Sequence, residues 1–253
     1  MSAMPGRILS AVPIGERSLA PAIGTLREGV LHAQLKSWYS RPGDRLEVLV
    51  DGYVVDVVRG DLLIEIQTGG FAPLKRKLEA LTREHPVRVV APVALSRRIV
   101  RVSEAGVVLF ARRSPRHGRV EDIFSRLVSF PGLLGRPRLE IEVLLTEEDE
   151  IRVHRPGRAF RRHGWVVEGR SLSTVIGRVL LTRPEEAAAL LPDGLPEPFD
   201  TTELAAAAGI GRRLAQQMAY CLRTMDMLEI EGRRRGGLLY RRTPSKDRRY
   251  RPK

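Results

Sequence analysis

The stretch RLEVLVDGYVVDVVRGDLLIEIQTGGFAPLKRKLEALTREHPVRVVAPVA, residues 45–94, decides how this chain folds. RLEVLV (45–50) runs into Asp51-Gly52, a turn signal that joins adjacent antiparallel strands. YVVDVVR (53–59) is rich in β-branched residues and ends at Gly60-Asp61, and LLIEIQT (62–68) ends at Gly69-Gly70. Together these predict a three-stranded antiparallel meander. Pro73 then opens a basic amphipathic helix over 73–85, proline being favoured in a helix's first turn. VRVVAPVA (87–94) is almost continuously apolar, as a strand covered on both faces must be.

Upstream, TLREGVLHAQLKSWY (25–39) places Leu26, Val30, Leu31, Leu35 and Trp38 at helical spacing, with Thr25 and Glu28 fitting a capping box. Downstream, RRIVRV and GVVLFARR predict a hairpin around Ser103–Gly106, and EDIFSRLVSF a helix stopped by Pro131-Gly132. LEIEVLLT (139–146) and EIRVHR (150–155) read as two strands, and 172–181 as a helix. Pro192, Pro196 and Pro198 mark 183–199 as a linker. Beyond it, Asp200-Thr-Thr-Glu203 is a capping signature for a short helix, Gly209-Ile-Gly211 a tight turn, and 212–228 a second helix with Leu214, Met218, Cys221, Leu222 and Met225 on one face. A strand, a basic glycine-rich tip and a strand complete a winged-helix pattern over 200–243. Residues 1–24 read as an irregular lead-in and 244–253 as a basic tail. No internal repeat is found.

The 253 residues carry 43 Lys and Arg against 30 Asp and Glu, a net charge of +13. Such an excess favours a polyanionic partner, nucleic acid before a membrane surface. It is unevenly placed: residues 201–253 hold 13 basic and 5 acidic side chains. Arg212 and Arg213 beside the tight turn, and Arg233, Arg234 and Arg235 at the tip, are therefore candidate nucleic-acid contacts, and Arg152–Arg170 is a further basic segment. One cysteine, Cys221, excludes a disulfide framework and a cysteine-based zinc site. No run approaches 18 apolar residues, and Met1–Glu16 lacks the form of a signal peptide, so a cytoplasmic protein with no membrane partner is expected.

Asp56 and Glu65 interrupt apolar strands. A charge there is costly unless it is paired, holds a cation or faces solvent. On adjacent antiparallel strands two carboxylates come within about 5 Å of each other and can converge on one divalent ion. Gln67 points the same way as Glu65. Hard oxygen donors of this kind suit Mg²⁺ or Mn²⁺. The competing reading of both carboxylates is a strand with one solvated side.

The order Glu28, Asp56, Glu65-Ile66-Gln67, helix 73–85 and strand 87–94 resembles the PD-(D/E)xK nuclease superfamily over roughly residues 22–95. The resemblance implies a restriction-endonuclease-like αβββαβ core within an α/β domain over 25–182, with the winged helix following it. It implies that Asp56, Glu65 and the Ile66 carbonyl hold Mg²⁺ or Mn²⁺, that Gln67 orients the attacking water or the phosphate, and that Glu28 supports the metal site. Lys is usual where Gln67 stands, so Lys77 or Lys75, with Lys36 behind them, is expected to supply the missing cation. The function implied is metal-dependent hydrolysis of DNA, and the resemblance allows a homodimer. A non-catalytic DNA-binding protein on the same scaffold is the second reading, and a protein- or RNA-binding assembly factor the third.

Overall fold

The computed structural model describes residues 29–234 and 237–244. Residues 1–28 lie outside this range, as do 235–236 and 245–253, so the lead-in, the Thr25–Glu28 cap, Arg235 and most of the basic tail do too. The fold is mixed α/β. Helix α1 (Val30–Tyr39) precedes strands β1 (Arg45–Val50), β2 (Tyr53–Arg59) and β3 (Leu62–Ile66). Helix α2 (Lys75–Leu81) leads to β4 (Val87–Val102), and β5 (Val108–Arg113) folds back onto it. Helix α3 (Phe124–Leu127) lies between short 3₁₀ turns and precedes β6 (Leu139–His154) and β7 (Trp165–Leu181). The chain ends in α4 (Pro184–Ala188), α5 (Thr201–Ala208), α6 (Arg212–Thr224), β8 (Leu228–Arg234) and β9 (Gly237–Arg242).

Seven strands form one sheet, ordered β1-β2-β3-β4-β6-β7, with β5 on β4 beyond the end of β3. The meander is antiparallel, as expected, and Asp51 and Gly52 take φ of 48° and 81°, the left-handed pair that a tight hairpin needs. β3 and β4 are parallel, so α2 is the crossover such a pair requires. Helix α1 covers one face with Leu31, Leu35 and Tyr39 against Ile64, Val90, Leu144, Leu172 and Val175. Helices α2, α3 and α6 cover the other, around Leu78, Phe124 and Met218.

Four expectations are corrected. The segment expected as a helix over 172–181 is part of β7. Its buried Leu172, Val175 and Val179 mimic helical spacing because the β6–β7 register shifts between Glu147 and Glu148, which breaks the period-two alternation. The two strands expected over 139–155 are one, because the charged Glu147–Glu150 stays in register with Ser96–Ile99 of an equally long β4. Arg98 makes a bidentate pair with Asp149 (2.9 and 2.6 Å), so ion pairs carry the ladder where apolar residues give out. The helix expected over 121–130 ends before Pro131 as expected, but only Phe124–Leu127 is α-helical, and Val120–Ile123 ahead of it is a 3₁₀ turn. The 183–199 linker is packed chain: it holds α4, and Leu191, Leu195 and Phe199 are buried in the larger core.

The terminal unit forms the expected α5, turn, α6 and hairpin. Asp200 caps α5 by accepting from the amides of Thr202 and Glu203, and Glu203 accepts from the Asp200 amide at 2.7 Å. Gly209 ends the helix at φ 62°. Helix α6 buries Ala215, Met218, Ala219, Cys221 and Leu222 in the same core as α3, so this unit is docked rather than tethered.

One buried polar contact fixes α1 to the sheet. Tyr39 Oη donates to Glu142 at 2.6 Å, and Glu142, 1% exposed, also faces Arg88 at 3.1 Å. Burial, reinforced by Glu142, pushes the phenol up to about 12. Tyr39→Phe removes a donor to a buried carboxylate and should cost about 1.5–3 kcal/mol. Urea denaturation checks this: the midpoint should fall with an unchanged slope.

Candidate functional site

The site forms where two strands part. Main-chain pairing of β2 with β3 runs from Arg59↔Leu62 to Val57↔Ile64 and stops. Asp56 is the next residue, and its carboxylate replaces the missing ladder bond by accepting from the Ile66 amide at 2.8 Å. The strand alternation slips here too, since Val55 and Val57, two residues apart, are buried in opposite cores. Glu47, at the β1 position facing Asp56, has a φ of 52°, rare for a non-glycine strand residue.

His32 of α1 reaches the same Asp56 oxygen at 3.2 Å. Burial raises the Asp56 carboxyl, but the bonds from His32 and the Ile66 amide, with the charges of His32 and Lys77, outweigh it and hold the group below the ordinary carboxylate range. Glu65 is 4% exposed, between Ile64 and Ile66. Burial pushes it up to about 7, against the pull of Lys77, while the Asp56 charge adds to the rise. Lys77 of α2 ion-pairs with Glu65 Oε1 and donates to the Val54 carbonyl at 2.5 Å. Glu65 Oε1 itself is buried without a well-aligned hydrogen bond.

Asp56, Glu65 and Lys77 are therefore brought together, and the Ile66 peptide joins them. In an extended strand a residue's carbonyl points to the same side as its amide. The Ile66 amide points to Asp56, and the next amide, of Gln67, bonds the Val90 carbonyl on β4. The Ile66 carbonyl thus faces the gap left by β2. Two carboxylates and a peptide carbonyl are the hard donors that Mg²⁺ takes when water and phosphate complete its shell. Among the described residues, no group of three or more His, Cys, Asp and Glu has metal-holding geometry.

Other candidates lie differently. The Gln67 side chain turns to the Gly70 carbonyl at 2.7 Å rather than to the carboxylates. Lys75 lies over the Phe130 ring, 5.8 Å from its centre. Arg212 and Arg213 are exposed at the start of α6, and Arg233 is exposed on β8. Arg234 is tied back to Glu203 at 2.8 Å. Glu28 and Arg235 lie outside the described residues. Two contributors were not among the expected site residues: His32, whose spacing fits helix packing as well as a ligand, and Arg126. No spacing links His32 to Asp56, although His32 sits one turn after Glu28. Arg126 on α3 ties the end of β3 to the middle of β4 by donating to the Gln67 carbonyl at 2.9 Å and to the Pro92 carbonyl, and burial lowers it to about 10.

An α/β chain with a carboxylate pair at a strand fork is the class that this geometry defines. Residues 29–182 match the family described as domain of unknown function (DUF8091), and the chain belongs to that family. An uncharacterized protein of Treponema pallidum (strain Nichols) is 31% identical over 233 residues, covering 91% of each chain, a span that takes in both the sheet and the terminal helices. No solved structure matches the chain.

The buried carboxyl of Glu65 gives a pH signature. Its folded pKa, about 7, lies above its ordinary 4.5, so its contribution to stability is present below about pH 4.5 and lost as pH rises through 7. Metal-free protein should lose about 2–3 kcal/mol across this window, and Glu65→Gln should flatten that loss. Denaturation at a series of pH values in chelator measures it.

Proposed function

We propose that this chain is a metal-dependent nuclease with a PD-(D/E)xK core and a winged-helix module for binding nucleic acid. The observation that carries the reading is the convergence of Asp56, Glu65, the Ile66 carbonyl and Lys77 at the fork between β2 and β3. The element order α1-β1-β2-β3-α2-β4, with an antiparallel meander and a parallel β3–β4 pair, supports it. So does the order α5, turn, α6, hairpin, with Phe199 bridging to Tyr240 beside the hairpin.

Asp56, Glu65 and the Ile66 carbonyl would hold Mg²⁺ or Mn²⁺. The bound ion supplies a lowered water pKa and neutralises charge on the scissile phosphate. His32 and the Ile66 amide fix the Asp56 carboxylate in its ionised form. Lys77, reached from α2 rather than from β3, would take the part of the superfamily's lysine. Its ammonium, which ion-pairs with Glu65, would be offered to a phosphate oxygen if Glu65 held the ion. Arg212, Arg213 and Arg233 face solvent on the terminal unit, where they suit a nucleic-acid backbone.

Incubation of single-stranded, duplex and branched DNA with the protein and Mg²⁺ or Mn²⁺ tests this. Asp56→Asn and Glu65→Gln should each slow cleavage about 10²–10³-fold, the equivalent of several kcal/mol, with binding retained. One observation favours a second reading: Gln67 is engaged by Gly70, and Glu65 is already paired with Lys77. Salt-dependent binding with no cleavage by the wild type would replace the nuclease with a DNA-binding protein on the same scaffold.

A further inference from the structure

Strands β6 and β7 stay paired from Ile141↔Leu181 to His154↔Trp165, far past the end of β3. The tip they carry, Arg155–Gly164, has Arg155, Arg158, Arg161 and Arg162 and no acidic residue. Phe160 at its apex is 87% exposed. An aromatic ring so placed contributes nothing to the core, and none of the core clusters includes it.

The tip is nevertheless built. Arg155 donates to the Gly164 carbonyl at 2.8 Å, and the Arg162 amide to the Ala159 carbonyl at 2.7 Å. Gly164 adopts φ 81° against the His154 ring, where a Cβ would come within 2.5 Å of Nε2. Below it, His154 and Trp165 pack edge to face, and Arg101 lies over the Trp165 ring at 4.7 Å. Ala159 and His163 on either side of the Phe160–Arg162 turn are both left-handed, with φ of 49°. Left-handed backbone is disfavoured for a non-glycine residue. The hairpin therefore spends stability to hold an aromatic ring and flanking guanidinium groups in water.

We infer that this tip binds nucleic acid, Phe160 stacking on an unpaired base and Arg158, Arg161 and Arg162 contacting the flanking phosphates. Aromatic stacking and backbone cations are the two elements by which proteins hold single strands. The inference rests on the nucleic-acid part of the reading above and not on its metal chemistry. The sheet also sets a distance. Glu65 is level with Val89, and Val89 with Ile141, so the tip lies 13 residues further along β6. At about 3.3 Å per residue that is roughly 40 Å. The chain would then touch its substrate at two places about 12 base pairs apart.

Fluorescence anisotropy in chelator, where no cleavage occurs, tests the tip separately from the carboxylates. The probes are a single strand, a duplex and a fork with splayed ends. Phe160→Ala should weaken binding to the single strand and fork about 5- to 100-fold and leave the duplex unchanged. It should also abolish the quenching of a 2-aminopurine base in the single strand. The triple change Arg158→Gln, Arg161→Gln, Arg162→Gln should lower the salt slope by two to three, at about 0.7–0.9 per lost contact. Unaltered melting temperatures establish that the variants fold. Unchanged affinity and slope in both variants would overturn the inference, as would binding to anionic phospholipid vesicles that depends on Phe160 while nucleic-acid binding does not. A nuclease that cleaves normally with an altered tip would overturn it and leave the carboxylate site intact. Loss of cleavage in Asp56→Asn with tip-dependent binding retained supports both.

Discussion

The hydrogen bond from the Ile66 amide to the Asp56 carboxylate is the contact on which the rest of the site depends. A ladder bond in its place would continue the β2–β3 pairing and close the sheet. The carboxylate instead satisfies the amide and lets β2 turn away. The Ile66 carbonyl is thereby directed into the gap, and the Val54 carbonyl is left for Lys77. Asp56 thus has a structural part, and that part keeps it ionised by supplying a donor from a neighbouring strand.

Glu65 has the opposite environment. It is enclosed by Ile64 and Ile66, and the Lys77 ammonium, with a bond from the Asp56 amide, only partly offsets the cost of burying its charge. Two carboxyls in one site whose affinities for a proton are pushed apart make a division of labour chemically reasonable. Asp56 is held as an anion, whereas burial pushes the Glu65 carboxyl up to about 7.

The meander was legible because its signals are local: Asp51-Gly52 and Gly60-Asp61 fix turns, and β-branched runs fix strands. Asp56, Glu65 and Lys77 were legible because charges in apolar strands and a basic helix following them are conspicuous. β7 was not, because its register shifts give Leu172, Val175 and Val179 the spacing of a helix. The outer half of β4 was legible as the RRIVRV arm of a hairpin, but its continuity with 87–94 was not, because Ser96, Arg97 and Arg98 interrupt the apolar run until the acidic residues of β6 stand beside them. His32 and Arg126 act on partners 24 and 59 residues away, and no local pattern encodes such distances. The packing of 183–199 was hidden by its prolines, which ended regular structure without lifting Leu191, Leu195 and Phe199 from the core.

The docking of α1 has a consequence during synthesis. Its apolar side is covered by Leu172 and Val175, and the Leu172 amide donates to Gln34 at 2.7 Å across 138 residues. A ribosome must release most of the chain before that surface is covered, and contacts of such sequence separation form late. Until then α1, which carries His32, has only Val57, Ile64, Ile66, Val90 and Leu144 of its buried cluster to pack against. A truncated or nascent chain that already contains every residue of the carboxylate pair therefore lacks the outer part of the surface that seats this helix.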